Sequence, residues 1–247
     1  MRYLFSLSAA LTVFTCLPAE ADWRAANIAA AMPGHNDCIA IVGTGNVGAT
    51  LGKRFVELGR PITFGSRDPE SQRVRSLVAS MGARASAANP AAAAKACPII
   101  VFAVPWEAAE TSLLGLGNLD GKIVVDVTNP LDVRDGREIP LAVPNSGAEL
   151  IQAWAPRARI VKALNTVNYR VMATPGVAGG PVSVPLSGDD AAAKETIARL
   201  VTEIGLAPVD VGPLRTARYT ENMALLYVSL LLRGSAYEFY MRPRPGS

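Results

Sequence analysis

The chain has 247 residues, half of them apolar and fewer than a fifth charged, which suits one packed α/β domain with a small appendage and excludes a disordered chain. A net charge of +3, with no lysine-rich tract and no interleaving of basic and aromatic residues, excludes a nucleic-acid footprint. The single histidine, His35, excludes a zinc hydrolase or a Ser-His-Asp hydrolase, and Cys16, Cys38 and Cys97 are too far apart in sequence to suggest a disulfide framework or a metal site.

The N-terminus reads as an export signal. Arg2 precedes an apolar run from Leu4 to Leu17, and Pro18-Ala19-Glu20-Ala21 supplies the small-x-small pattern of a cleavage site. The run is too short for a stable membrane span. Residues 1–21 are therefore expected to be a signal peptide directing the chain to the periplasm, whereas translation from Met32 would give a cytoplasmic protein. Residues 22–37 are an alanine-rich linker broken by Pro33-Gly34.

From there strands and helices alternate. Residues 38–42 form a continuous apolar run and predict a buried parallel strand. A helix over 46–58 follows, with Val47, Leu51, Phe55 and Leu58 on one face. Residues 61–65 predict the second strand, Asp68-Pro69 opens another helix, and a short strand over 83–85 and a helix over 90–96 come next. Further strands are expected over 99–104, 123–127 and 160–164, with a helix over 149–154 between the last two. This rhythm predicts a Rossmann domain over 38–180, a doubly wound parallel sheet covered on both faces. Residues 181–247 are expected to be a small, mainly helical α/β segment, with strands over 182–186 and 207–210, a helix over 189–204, and a long apolar helix from Pro213 to about Tyr240. That helix has more apolar surface than one face needs, which suggests a homodimer.

Between the first strand and first helix lies Gly43-Thr44-Gly45-Asn46-Val47-Gly48, a G-x-G-x-x-G motif in the strand-to-helix context that a dinucleotide site requires. The first glycine permits the tight turn, the second lets the backbone approach a pyrophosphate, and the third lets helix and strand pack closely. At the end of the second strand an NAD site places an acid against the ribose 2′-hydroxyl. This chain has Ser66-Arg67, a hydroxyl and a guanidinium suited to a 2′-phosphate, so NADP(H) is the expected cofactor. Arg73 and Arg75 on the next helix add positive field, as they also would on any surface helix.

The reacting end is expected at the C-terminal ends of the later strands. Val104 and Pro105 should border the nicotinamide, with Trp106 beside them either in the cleft or in ordinary packing. Asn129, before Pro130, is a candidate contact or a turn residue, and Asn165-Thr166 shares the same rim.

With these residues, Val104-Pro105-Trp106, the run from Asp126 to Leu131, Ser146-Gly147-Ala148-Glu149, the run from Val161 to Val167, Ser187-Gly188-Asp189-Asp190 and Gly212-Pro213-Leu214, the chain resembles the NADPH-dependent reductases of the deazaflavin coenzyme F420 and the reductase domain of the STEAP metalloreductases. The likeness runs over about 39–232. It implies direct hydride transfer between NADP(H) and a deazaflavin or flavin, in a cleft between the Rossmann domain and the C-terminal segment, with no catalytic acid, base or metal. It also implies Ser66 and Arg67 as 2′-phosphate contacts, Val104, Pro105 and Trp106 as the nicotinamide wall, and Asn165-Thr166 as the acceptor side, where relatives often have histidine in place of Asn165. Two other readings compete: an imine reductase of the pyrroline-carboxylate reductase type, for which the C-terminus is short, and an NADP(H)-binding protein without turnover.

Overall fold

Apolar runs bounded by turn residues become the strands, and the intervening amphipathic runs the helices. The computed structural model describes residues 37–132, 141–235 and 237–244; the expected signal peptide, Cys16, Met32, His35 and all but the end of the linker lie outside the described residues. β1 (Ile39–Val42), β2 (Ile62–Gly65), β3 (Ala85–Ala88), β4 (Ile99–Phe102), β5 (Ile123–Asp126), β6 (Arg159–Lys162), β7 (Ser183–Ser187) and β8 (Ala207–Gly212) form one sheet in the order 3-2-1-4-5-6-7-8. Every neighbouring pair is parallel except β6 and β7. The first six strands have the doubly wound Rossmann order, whose switch point lies between β1 and β4.

Register places one residue from each central strand in a single row: Gly65, Val42, Phe102, Asp126 and Lys162. Whatever follows that row leaves the sheet along its C-terminal edge. The expected strands running to Val104, Val127 and Leu164 stop short for this reason. The ladder ends at Phe102, Asp126 and Lys162; Ala103, Val104 and Val127 then build the rim of a cleft, whereas Ala163 and Leu164 turn into the core.

α1 (Asn46–Glu57), α2 (Gln72–Ala79), α3 (Pro90–Ala96), α4 (Ala109–Leu114), α5 (Gly147–Trp154), α6 (Tyr169–Ala173), α7 (Ala191–Glu203) and α8 (Ala217–Leu232) cover the sheet. Alternation along β1 sends Ile39 and Ile41 into one core and Ala40 and Val42 into the other. The second helix starts at Gln72 rather than Asp68, because residues 68–71 close a turn in which the Ser71 hydroxyl and N–H both donate to the Asp68 carbonyl. The third strand is displaced from 83–85 to Ala85–Ala88, because the chain first makes a tight turn at Gly82, φ +76°.

The C-terminal strands β7 and β8 continue the same sheet, linked by α7. α8 ends at Leu232, eight residues before the expected Tyr240, where Arg233-Gly234 turns the chain with Gly234 at φ +71°. The chain then returns to the sheet, and the Ser183 N–H donates to the Met241 carbonyl at 2.8 Å.

Cys38 and Cys97 are joined in a disulfide, contrary to the expectation from their spacing. They are 59 residues apart in sequence, but β1 and β4 are neighbours in the sheet, and both cysteines lie just before those strands. The bond is therefore at the sheet end opposite the cleft.

Candidate cofactor site

The three glycines of the loop do different work. A Cβ on Gly43 would lie 2.2 Å from the Ala103 carbonyl oxygen, and Gly43 has φ +111°. A Cβ on Gly48 would lie 2.0 Å from the Gly43 oxygen. Both are required by the crossing of β1, α1 and β4. A Cβ on Gly45 would meet nothing within 4 Å, so the fold alone does not demand glycine there. Gly45 is also the N-cap of α1, and no side chain caps that end, whereas Asn89, Ser146, Asn168 and Asp190 cap α3, α5, α6 and α7. The uncapped N–H groups and the helix dipole open onto a cavity of about 1020 Å³, large enough for a cofactor and suited to an anion.

One end of this cavity is polar and basic. Ser66, Arg67, Ser71, Arg73 and Asn89 line it, with Asp68 the one acid among them. Ser66 is nearly buried, and its Oγ accepts from the Asp68 N–H at 3.2 Å, which seats the hydroxyl at the strand end while Arg67 stays exposed. Arg73 and Arg75 separate. Arg73 crosses to the phosphate loop, donating to the Thr44 carbonyl at 2.9 Å and to its Oγ1 at 2.6 Å. Arg75 turns away, toward Gln72 and Glu70.

The other end is apolar, walled by Val104, Pro105 and Trp106, with Thr128 and Asn129 beside them. Trp106 is placed by both cavity and packing. It lines the cavity and stacks on Trp154, ring centroids 5.9 Å apart, over Gly147, where a Cβ would lie 2.9 Å from the ring. Thr44, Gly45, Asn46, Val47, Ser66, Arg67, Val104, Pro105, Trp106 and Asn129 all face this one cavity, as does Gly43.

Gly48, Asn165 and Thr166 do not line it. Asn165 is buried behind Asn129. The Asn129 Nδ2 donates to the Asn165 carbonyl at 3.1 Å, and the Asn165 Nδ2 donates to Asn129 Oδ1 at 3.0 Å and to the Thr220 carbonyl at 3.1 Å. Its Oδ1 is buried without a hydrogen-bond partner among the described residues. The preceding residue, Leu164, holds φ +64°, a left-handed conformation costing about 1–2 kcal/mol for a side-chain-bearing residue. A turn this strained presents Asn165 to Asn129 and α8.

Behind the same wall lies a group that no sequence motif marks. Lys162, Asp126 and Glu221 are each fully buried. Lys162 Nζ lies 2.8 Å from Asp126 Oδ2 and 3.0 Å from Glu221 Oε1, and donates to the Thr128 carbonyl at 2.6 Å. Burial alone would lower the Lys162 ammonium, but Asp126 and Glu221 outweigh it and hold the group above the ordinary lysine value. The sequence hints at it only in that two apolar strands each end on a charge, which burial obliges to find a partner; which partner depends on strand adjacency.

Among the described residues no cluster has a metal-binding set, and no helix is long and apolar enough to cross a membrane. A doubly wound sheet with an uncapped helix N-terminus and a glycine loop at its switch point defines a dinucleotide-binding α/β protein. Comparison with known proteins then gives the family. Residues 38–130 match the family model described as NADP oxidoreductase, coenzyme F420-dependent. A solved structure described as a putative F420-dependent NADP-reductase from Arthrobacter sp. FB24 is 33% identical, covering 85% of this chain and 100% of that one, with a TM-score of 0.77. The F420-dependent NADP reductase of Methanothermobacter thermautotrophicus is 29% identical over 79% of this chain and 89% of its own length. Metalloreductase STEAP3 of Rattus norvegicus is 29% identical over 79% of this chain, but the chain spans only 38% of that relative. The chain belongs to the F420-dependent NADP oxidoreductase family, and it is an NADP-dependent oxidoreductase.

Proposed function

We propose that the protein transfers a hydride between NADP(H) and a deazaflavin of the F420 type, or a flavin. The observation that carries this reading is the division of the cavity into a basic end and a flat apolar end. At the basic end the Ser66 hydroxyl, Arg67 and Arg73 would hold the 2′-phosphate, and the α1 N-terminus at Gly45 would hold the pyrophosphate. The residues present fit that group, since Gly45 leaves open the approach that a side chain would fill. At the apolar end Val104, Pro105 and Trp106 would wall the nicotinamide and exclude water, and Asn129, braced by Asn165, would present its amide. When bound, NADPH supplies the hydride. The protein's part is distance, orientation and a dry wall.

The Cys38–Cys97 disulfide supports an oxidising compartment, in line with the export signal read from the N-terminus. Exposed Tyr219, Leu226 and Leu231 on α8 support a homodimer, to be measured by light scattering.

The reading is tested by following NADPH oxidation with F420, FMN, FAD and a cyclic imine as separate acceptors. Turnover with F420 or a flavin is expected. Turnover with the imine alone would replace this reading with imine reduction, and binding without turnover of any acceptor would replace it with a non-catalytic role.

A further inference from the structure

Burying three charged groups at a sheet edge is costly, and an apolar set of similar volume would stabilise the fold at least as well. The balance of charge in the Lys162 group is uneven. One ammonium faces two carboxylates, so its formal charge is −1. Glu221 Oε1 also accepts from Ser146 Oγ and the Ala148 N–H, each at 3.1 Å, and Oε2 accepts from the Gly147 N–H at 2.9 Å. Asp126 Oδ1 accepts from the Thr128 N–H at 2.8 Å and from Thr128 Oγ1 at 2.7 Å. Every partner of each carboxylate donates to it. The nearest other cation on α8, Arg218, is engaged by Glu149 at 2.7 and 2.8 Å. The α5 N-terminus contributes about half a positive charge, which leaves the excess negative.

The position of this excess matters. Asp126 closes β5, and the two residues bonded into its network or next to it, Thr128 and Asn129, line the apolar end of the cavity. We infer that the Lys162–Asp126–Glu221 group makes the site discriminate between the redox states of its cofactor, holding NADP+ more tightly than NADPH. This rests on the proposed placement of the nicotinamide beside Val104 and Asn129. The reduced ring is neutral; once its C4–H bond has broken and the hydride has left with both electrons, the ring carries one positive charge. Fixed negative charge behind the wall stabilises that product. Glu221 and Asp126 thereby lower the potential of the bound couple and favour hydride donation to the acceptor. They are positioning and tuning residues, acting from behind Thr128 and Asn129 without touching the cofactor.

The test is calorimetric titration of the whole protein with NADP+, NADPH and 2′-phospho-ADP-ribose, which lacks the nicotinamide. In wild type, NADP+ should bind about four-fold more tightly than NADPH, the scale of half a unit charge about ten ångströms away at an effective dielectric constant of about 20. Glu221→Gln keeps the shape and removes the charge. It should cut that ratio by at least about three-fold and leave 2′-phospho-ADP-ribose unchanged. Asp126→Asn should do the same from the other side of Lys162. Equal affinities for the two redox states in wild type overturn the inference whether or not either variant folds, and so does a folded variant that keeps the wild-type ratio. If 2′-phospho-ADP-ribose fails to bind, the placement falls and the inference with it; if it binds and no redox bias is seen, the inference alone falls.

Discussion

Replacing Gly45 with alanine should separate the cofactor role of the loop from its packing role. A methyl at Gly45 meets no atom within 4 Å, and its φ of −74° is open to any residue. Alanine is a poorer N-cap than glycine by up to about 1 kcal/mol. It also stiffens the unfolded chain, which returns about 0.4–1 kcal/mol. The two nearly cancel, so the melting temperature should move by no more than about 4 °C for a domain of this size. Binding should respond differently. The methyl stands where a diphosphate would approach the uncapped N–H groups, and a hydrogen bond to a charged group is worth about 1.5–3 kcal/mol. Losing one weakens NADPH by at least about ten-fold. Gly43→Ala and Gly48→Ala provide the contrast. Their methyls would lie 2.2 Å and 2.0 Å from backbone oxygens, and Gly43 has a φ that alanine rarely adopts, so each should cost at least about 3 kcal/mol. The assay is thermal unfolding together with titration of NADPH against tryptophan fluorescence, in which Trp106 on the cavity wall is the reporter. If Gly45→Ala binds NADPH as wild type does, or unfolds as early as Gly43→Ala, the assignment of roles is wrong.

Wild type should bind NADPH at least about ten-fold more tightly than NADH, and Arg67→Ala or Arg73→Ala should narrow the gap; equal affinities in wild type would defeat the assignment of the basic end. Reducing the Cys38–Cys97 bond, or Cys97→Ala, should remove about 4 kcal/mol, the loop-entropy value for cysteines 59 residues apart, and lower the melting temperature by about 8–16 °C without changing NADPH affinity. A melting curve indifferent to reductant would contradict this. Because Lys162 is held above the free value of 10.5, its contribution is complete below that pH and is lost only as pH rises through the higher folded value. Urea stability should thus stay level from about pH 7 to 10 and fall beyond; a fall beginning near pH 8 would show that burial had won instead.

What could be read from the sequence was what depends on neighbours in the chain. The G-x-G-x-x-G loop, Ser66-Arg67 and Val104-Pro105-Trp106 each sit within a few residues of a strand end, so local pattern located them, and the cavity gathers them. What could not be read depends on which strands lie side by side. Cys38 and Cys97 are a pair only because β1 adjoins β4. Asp126 and Lys162 are a pair only because β5 and β6 share a register, and Glu221 joins them only because α8 returns over the N-terminus of α5. Asn165 follows β6 toward the rim, yet it stands behind Asn129, because a left-handed Leu164 redirects the chain and no glycine marks that turn. The same adjacency explains how the C-terminal segment bears on the site. Its residues do not line the cavity, but Glu221 and the Thr220 carbonyl hold the parts that do. An alteration in α8 should therefore reach the reacting end through Lys162 and Asn165, and leave the phosphate end as it was.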